Sequence, residues 1–314
     1  MRVLHLDTNH PLLIEQLQDA GFENVVDLTS SKDEIQEKID QFDGLVIRSR
    51  IPIDKELLQR AKGLKFIGRV GAGLENIDTE EAARLGIALF NAPEGNRNAV
   101  GEHALGMLLM LMNRLHITNR EVRMGLWERE GNRGWELEGR TIGIIGYGNM
   151  GRSFARKLKG FDCRVICHDI LPGLGDEYAE QVDLQTLQQQ AEVLSLHTPL
   201  TPLTDGMVNA DFLGSFKHPI WLINTARGRC VVTADLVNAL EEGRVLGAAL
   251  DVLEYEKSSF ENLFEQQIPE SLDKLFAMDN VVLSPHVAGW THESKAKLAQ
   301  TIVDKILRQF KNSD

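Results

Sequence analysis

The chain has 314 residues, 43 % of them apolar, and a formal net charge of −12. That length suits two domains with ordinary buried cores, and so acidic a surface argues against nucleic acid, whose backbone needs clustered positive charge. No apolar run reaches membrane-span length, and the opening MRVLHLDTNH lacks an apolar h-region and a small-residue cleavage site, so a cytoplasmic protein with no membrane partner is expected.

Short apolar runs at 3–6, 44–47, 65–69 and 88–90 read as strands, each separated by a helical or polar stretch. A helix apolar on every side is expected over 99–116, and such a helix is buried. A second series of strands follows at 141–145, 164–168, 193–197, 220–224, 247–251 and 280–284, bridged by helices such as 150–159 and 233–242. Continuous rather than alternating runs indicate strands covered on both faces, hence a doubly wound parallel sheet of Rossmann type. Residues 294–310 form one amphipathic helix, which by pattern alone fits either α/β domain. The three cysteines, Cys163, Cys167 and Cys230, are too sparse for a disulfide scaffold and fit a reducing compartment. Cys163 and Cys167 read as buried thiols rather than metal ligands, and no metal is expected.

Gly146, Gly148 and Gly151 make a G-x-G-x-x-G that follows a strand and opens a helix, and a second strand ends in Asp169 about 20 residues later. Gly146 permits the tight turn, Gly148 lets a pyrophosphate approach, and Gly151 lets the helix pack on the strand. The N–H groups of Asn149 and Met150 would face the phosphates. Asp169 would accept the adenosine ribose hydroxyls and repel a 2′-phosphate, so the expected cofactor is NAD.

Arg227, Asp251 and His286 end successive strands of the second series, on the edge where open α/β sheets bind ligands. Reduction of a 2-oxo acid needs a cation for the carboxylate, a proton donor for the developing alkoxide, and a carboxylate to orient that donor. Arg227, His286 and Glu256 supply these roles, with Glu254 as the other carboxylate in reach of the motif. Asp251 would then bond the nicotinamide carboxamide. The backbone of Gly71, Ala72 and Gly73 can form an anion nest for the substrate carboxylate, with Asn96 adding a donor.

These segments resemble the D-isomer-specific 2-hydroxyacid dehydrogenase family along nearly the whole chain. The matching pieces are GRVGAGLENID, NAPEGN, the glycine fingerprint with Asp169, HTPLTPLT, NTARG, ALDV and SPHVAG. The resemblance implies catalysis by Arg227, Glu256 and His286. It adds Thr198, Thr225, Ala226 and Gly289 to Asn149, Met150, Asp169 and Asp251 as cofactor contacts. It also implies that a flavodoxin-like α/β substrate domain, 1–97 plus 288–314, is interrupted by an NAD-binding domain, 98–287, with the active site in the cleft between them. The chain departs from the family in having Lys257 after Glu256, where Pro is usual, and Trp290 where a small residue is common.

Arg48, Arg69 and Arg129 stand where members acting on D-3-phosphoglycerate carry arginine. That substrate is therefore expected, with hydroxypyruvate, glyoxylate or another 2-oxo acid as the alternative, and an NAD(H)-sensing corepressor-like role as the non-enzymatic one. Arg50 is expected to face solvent. By the same resemblance Arg129 lies on a dimerisation arm, 119–140, anchored by Trp127 and Trp135, so a homodimer is expected. The short tail after His286 leads to the expectation that no C-terminal regulatory domain, and no serine feedback through one, is present.

Overall fold

A computed structural model describes residues 1–256 and 268–310. In chain order the elements begin β1 (Arg2–His5), α1 (Leu12–Asp19), β2 (Glu23–Val26), α2 (Lys32–Lys38), β3 (Gly44–Ile47), α3 (Lys55–Arg60), β4 (Phe66–Arg69), α4 (Thr79–Arg84), β5 (Ala88–Phe90), α5 (Pro93–Met112) and α6 (Leu115–Arg123). Next come β6 (Thr141–Ile145), α7 (Asn149–Lys157), β7 (Arg164–His168), β8 (Glu180–Gln181), α8 (Leu184–Gln190), β9 (Val193–Leu196), α9 (Ala210–Gly214) and β10 (Ile220–Asn224). The described residues end with α10 (Thr233–Glu241), β11 (Val245–Leu250), α11 (Glu270–Ala277), β12 (Val281–Leu283) and α12 (His292–Phe310). Several helices start where a short polar side chain accepts a first-turn N–H: Asp54, Asp78, Asp183 and Asn209 each do so.

The chain divides into two units, Met1–Asn96 with the segment from Trp290 onward, and Arg97–Gly289. These limits differ from the expected ones by one or two residues. The first unit holds a five-stranded parallel sheet in the order β2-β1-β3-β4-β5, the flavodoxin-like arrangement. The final helix belongs here. Ala299, Ile302, Val303 and Ile306 pack with Val3, Leu13, Leu17, Val46 and Phe66. Gly68 on β4 makes room for this, since a Cβ there would lie 3.0 Å from Ile302.

The second unit holds a seven-stranded parallel sheet in the order β12-β11-β10-β9-β6-β7-β8. Residues of β9 and β10 are buried throughout, as expected for strands covered on both faces. Chain order reverses between β6 and β9, the switch point at which a crevice opens beyond the strand ends.

Three elements depart from the sequence reading. The long helix starts at Pro93 rather than 99 and stops at Met112, because Arg114 takes a left-handed conformation (φ 54°) and begins the separate helix α6. That second helix occupies the first part of the expected arm. Strands β2 and β8 have no apolar run to announce them, being half-exposed edge strands. Arg50 does not face solvent. Its guanidinium donates to the carbonyls of Leu6, Ser30 and Asp27, at 2.6, 2.7 and 2.9 Å, stitching loops of the first unit together.

Candidate active site

Strand register sets the site. Across the second sheet His168 pairs with Ile145, Ile145 with Leu196, Leu196 with Asn224, Asn224 with Leu250, and Leu250 with Leu283. These six residues form one line at the C-terminal edge. The residues immediately beyond them are Asp169, the glycine-rich turn, Thr198, Thr225 to Arg227, Asp251, and Ser284 to His286. Sequence-distant residues thus share one edge because the strands are parallel and in step.

The turn after β6 is built for close backbone approach. Gly146 has φ +88°, and a Cβ on it would lie 2.6 Å from the His197 carbonyl oxygen. A Cβ on Gly151 would lie 2.1 Å from the Gly146 oxygen, which fixes how tightly α7 seats on β6. Gly148 instead has open space where its Cβ would be. It is the N-cap of α7 and offers no side-chain cap to the first N–H groups of that helix. Uncapped N–H groups facing open space at a helix N-terminus suit a phosphate. Thr225 adds a buried hydroxyl with no hydrogen-bond partner among the described residues. The residues therefore fit a dinucleotide. Asp169 accepts the N–H groups of Tyr147 (2.8 Å) and Leu171 (3.0 Å), which holds its carboxylate at the end of β7 beside the turn. Thr198 sits against Cys230 (3.8 Å), and Ala226 is buried with its N–H given to Asn224.

His286 Nδ1 lies 2.8 Å from Glu256 Oε2, and the other Glu256 oxygen accepts the Leu253 N–H. Glu254, the alternative carboxylate, is engaged elsewhere: it accepts the Thr233 N–H (2.8 Å) at the start of α10. The residue after Glu256, where the family pattern is broken, lies outside the described residues. Arg227 follows β10, with its backbone oxygen held by Asn224 (3.0 Å) and its guanidinium donating to the Ala226 carbonyl (2.7 Å). Gly228 lets this loop meet the Glu256 loop, since a Cβ there would fall 1.9 Å from the Leu253 oxygen.

Asp251 follows β11. It is 1 % exposed, and its carboxylate turns onto the loop that carries His286. It accepts Ser284 Oγ (2.6 Å) and the N–H groups of Val287 and Ala288 (both 2.9 Å), while its carbonyl accepts the His286 N–H (2.7 Å). His103 Nε2 on α5 reaches Ser284 Oγ at 2.9 Å and Asp251 Oδ1 at 3.5 Å. Burial pushes the Asp251 carboxyl up, but the bonds from His103, Ser284 and the two N–H groups outweigh it and hold it below the usual range. A carboxylate so engaged braces the His286 loop. The sequence reading missed Ser284 and His103. Ser284 lies within SPHVAG; nothing in the pattern marks His103.

The first unit carries its own polar set. Arg48 follows β3, its N–H bonded to Asp7 (2.6 Å) and its guanidinium stacked 4.6 Å from the centre of the Trp290 ring. Arg69 ends β4 and folds back over Gly71. The Gly71 N–H is spent on the Arg69 carbonyl (2.8 Å), and only Ala72 and Gly73 keep N–H groups without a partner among the described residues. Asn96 Oδ1 is buried and has no hydrogen-bond partner among the described residues. Arg129 and Gly289 stay with the second unit, Arg129 on its exposed surface. Trp127 is 78 % exposed, and Trp135, 55 % exposed, also packs edge-on to Trp221 with Arg140 over both rings. All three cysteines are free thiols, and Cys163 lies just before β7 rather than in it. No helix among the described residues is long and apolar enough to cross a membrane.

A doubly wound dinucleotide-binding unit with a histidine–carboxylate pair on its ligand edge defines a nicotinamide-dependent oxidoreductase class. Residues 105–288 match the family described as D-isomer specific 2-hydroxyacid dehydrogenase, NAD binding domain, and the chain belongs to that family. Its members oxidise the CH–OH group of hydroxy acids with NAD. The chain is 34 % identical to a D-3-phosphoglycerate dehydrogenase of Archaeoglobus fulgidus, over 99 % of this chain and 58 % of that protein. It is 33 % identical to a hydroxypyruvate reductase of Thermotoga maritima, over 96 % of this chain and 97 % of that one. A solved glyoxylate reductase from Paecilomyes thermophila superposes with a TM-score of 0.85 at 26 % identity, covering 100 % of this chain and 96 % of that one. The chain thus spans little more than half the length of several phosphoglycerate dehydrogenases it matches.

Proposed function

We propose that the chain is an NAD-dependent D-2-hydroxyacid dehydrogenase that interconverts D-3-phosphoglycerate and 3-phosphohydroxypyruvate. The observation that carries the dehydrogenase reading is the 2.8 Å His286–Glu256 pair, set on the same strand edge as the glycine-rich turn. Bound nicotinamide supplies or takes the hydride at C2. In the reducing direction Arg227 holds the substrate carboxylate and polarises the keto group. His286, protonated, gives its proton to the oxygen that becomes the hydroxyl, and Glu256 keeps the ring aimed and stabilises its cationic form. Oxidation runs the same proton back to the imidazole. Asp169, a carboxylate beside the turn, disfavours a 2′-phosphate and supports NAD over NADP.

Arg48 and Arg69 support the phosphorylated substrate. Each is a guanidinium at a strand end, the donor type that matches phosphate bidentately. Ala72, Gly73 and Asn96 are the carboxylate-end donors of this reading. The exposed arm residues Leu126 and Trp127 support a homodimer that brings Arg129 of a second copy to the substrate. The alternative, reduction of hydroxypyruvate or glyoxylate, is favoured by the similarity to the Thermotoga maritima enzyme.

The test is NADH oxidation with phosphohydroxypyruvate, hydroxypyruvate, glyoxylate and pyruvate. Phosphohydroxypyruvate is expected to give the highest kcat/KM, and Arg69→Ala to raise its KM about tenfold or more while leaving that of hydroxypyruvate near wild type. Equal effects on both substrates would remove the phosphate reading. NADH binding without turnover of any of the four would move the protein to the sensing role.

A further inference from the structure

The fingerprint meets the cofactor's pyrophosphate with neutral groups. Gly148 and Asn149 carry no charge, and no acidic residue occupies the first turn of α7. On a protein of net charge −12, a dianionic ligand needs a nearby cation. Arg152, the cation of α7 nearest its N-terminus, is already committed: it donates to the carbonyls of Tyr147 and Leu174 and pairs with Asp176.

Helix α5 supplies another. Gly101 permits the approach, because a Cβ there would meet Ser153 Oγ at 2.7 Å and the Ser153 backbone at 2.9 Å. That close crossing sets α5 alongside α7 in register. One turn back along α5 stands Arg97, and one turn back along α7 stands Asn149. Their side chains touch, Arg97 Nη1 donating to Asn149 Oδ1 at 3.3 Å. Lys157 holds the pairing further along, bonded to Asn98 (2.7 Å) and Glu102 (3.1 Å). The Arg97 side chain is exposed, and the neutral Asn149 amide is its hydrogen-bond partner among the described residues. Its remaining donors are not committed to a carboxylate.

We propose that Arg97 is a cofactor-binding residue that supplies the positive charge for the NAD pyrophosphate at the α7 N-terminus. The glycine-rich turn provides shape and N–H groups, and the neighbouring helix provides the charge. The assignment rests on the NAD-binding unit alone and is independent of which hydroxy acid is the substrate.

The experiment measures dissociation constants of NADH, ADP-ribose and adenosine by fluorescence or calorimetry, at low and high salt. The proteins are wild type, Arg97→Gln and Arg97→Lys. Arg97→Gln is expected to weaken NADH and ADP-ribose about tenfold and to flatten their salt dependence, with adenosine unchanged. Arg97→Lys should recover part of the loss. Wild-type NADH affinity and salt dependence in Arg97→Gln would overturn the proposal. So would an equal loss for adenosine, which would mean a deformed site. Failure of wild-type protein to bind NADH would instead count against the cofactor itself.

Discussion

His286 has φ 54°, a left-handed conformation that a residue with a Cβ adopts at a cost. The cost is offset by Asp251, whose carbonyl takes the His286 N–H and whose carboxylate takes the next two N–H groups. Asp251→Asn puts an NH2 against one of those donors. It is expected to lower kcat about tenfold to a hundredfold and stability by about 1–3 kcal/mol, read from steady-state kinetics and urea unfolding. Wild-type kcat in a stably folded Asp251→Asn protein would show that the brace does not matter to the imidazole. Glu256→Gln keeps the shape of the pair and removes its charge. A kcat about a hundredfold down with NADH affinity intact is expected, whereas Glu254→Gln should disturb only the start of α10. The sequence named His286 and Arg227 because each follows an apolar run inside a distinctive motif. It favours Glu256 and keeps Glu254 as the fallback, since side-chain direction in a loop is set by tertiary contacts that spacing does not show. Asp251 is legible as a polar residue at a strand end, but its hold on the His286 loop is not, because spacing does not distinguish a side chain that faces a ligand from one that faces its own loop.

Elements were most legible where they are buried on both sides. The inner strands β6, β7, β9, β10 and β11 coincide with continuous apolar runs, while β2 and β8, at the edges of their sheets, do not. Both keep side chains in water and lack the apolar run that would mark them, whereas the edge strands β5 and β12 retain short runs and are legible. The glycine fingerprint was legible because its residues are required by backbone approach rather than by side-chain chemistry. The α5 limits were not, because a left-handed Arg114 has no sequence signature comparable to glycine. The glycine requirement can be measured. A Cβ on Gly151 would sit 2.1 Å from the Gly146 oxygen, so Gly151→Ala must push α7 off β6 and tilt its N-terminus away from the phosphate position. Loss of NADH affinity of at least about tenfold is expected, with a stability loss of about 1–3 kcal/mol. Gly148→Ala, with open space around its Cβ in the absence of cofactor, should fold normally and lose affinity alone. A Gly151→Ala protein that bound NADH as tightly as wild type would refute the close-packing role.

At the scale of the whole molecule, each unit keeps a neutral histidine in its interior. His5 lies on β1 of the first sheet, bonded to Asn24 at 2.8 Å, and burial holds its pKa below the ordinary 6.5. His197 follows β9 of the second, bonded to Ser195 at 2.8 Å, with burial bringing its pKa to about 3. Its carbonyl also abuts Gly146, so its environment is tied to the cofactor turn. Unfolded, both imidazoles take a proton near pH 6.5; folded, they stay neutral to lower pH. Below that value the unfolded chain therefore binds more protons, and stability falls as pH falls. For His197 the loss between neutrality and about pH 5 is about 2 kcal/mol, and His5 adds to it in the same direction. Carboxylates such as Asp251, with lowered pKa values, contribute only further into acid, so the first decline belongs to the histidines. Urea unfolding from pH 7.5 to 5 should show a falling midpoint at constant slope. Proton uptake on unfolding near pH 5.5, counted by calorimetry in buffers of different ionisation enthalpy, should show the contribution of His197, with His5 adding in the same direction. A midpoint that does not move over that range, or unfolding without proton uptake, would mean that these imidazoles are not held neutral by the fold.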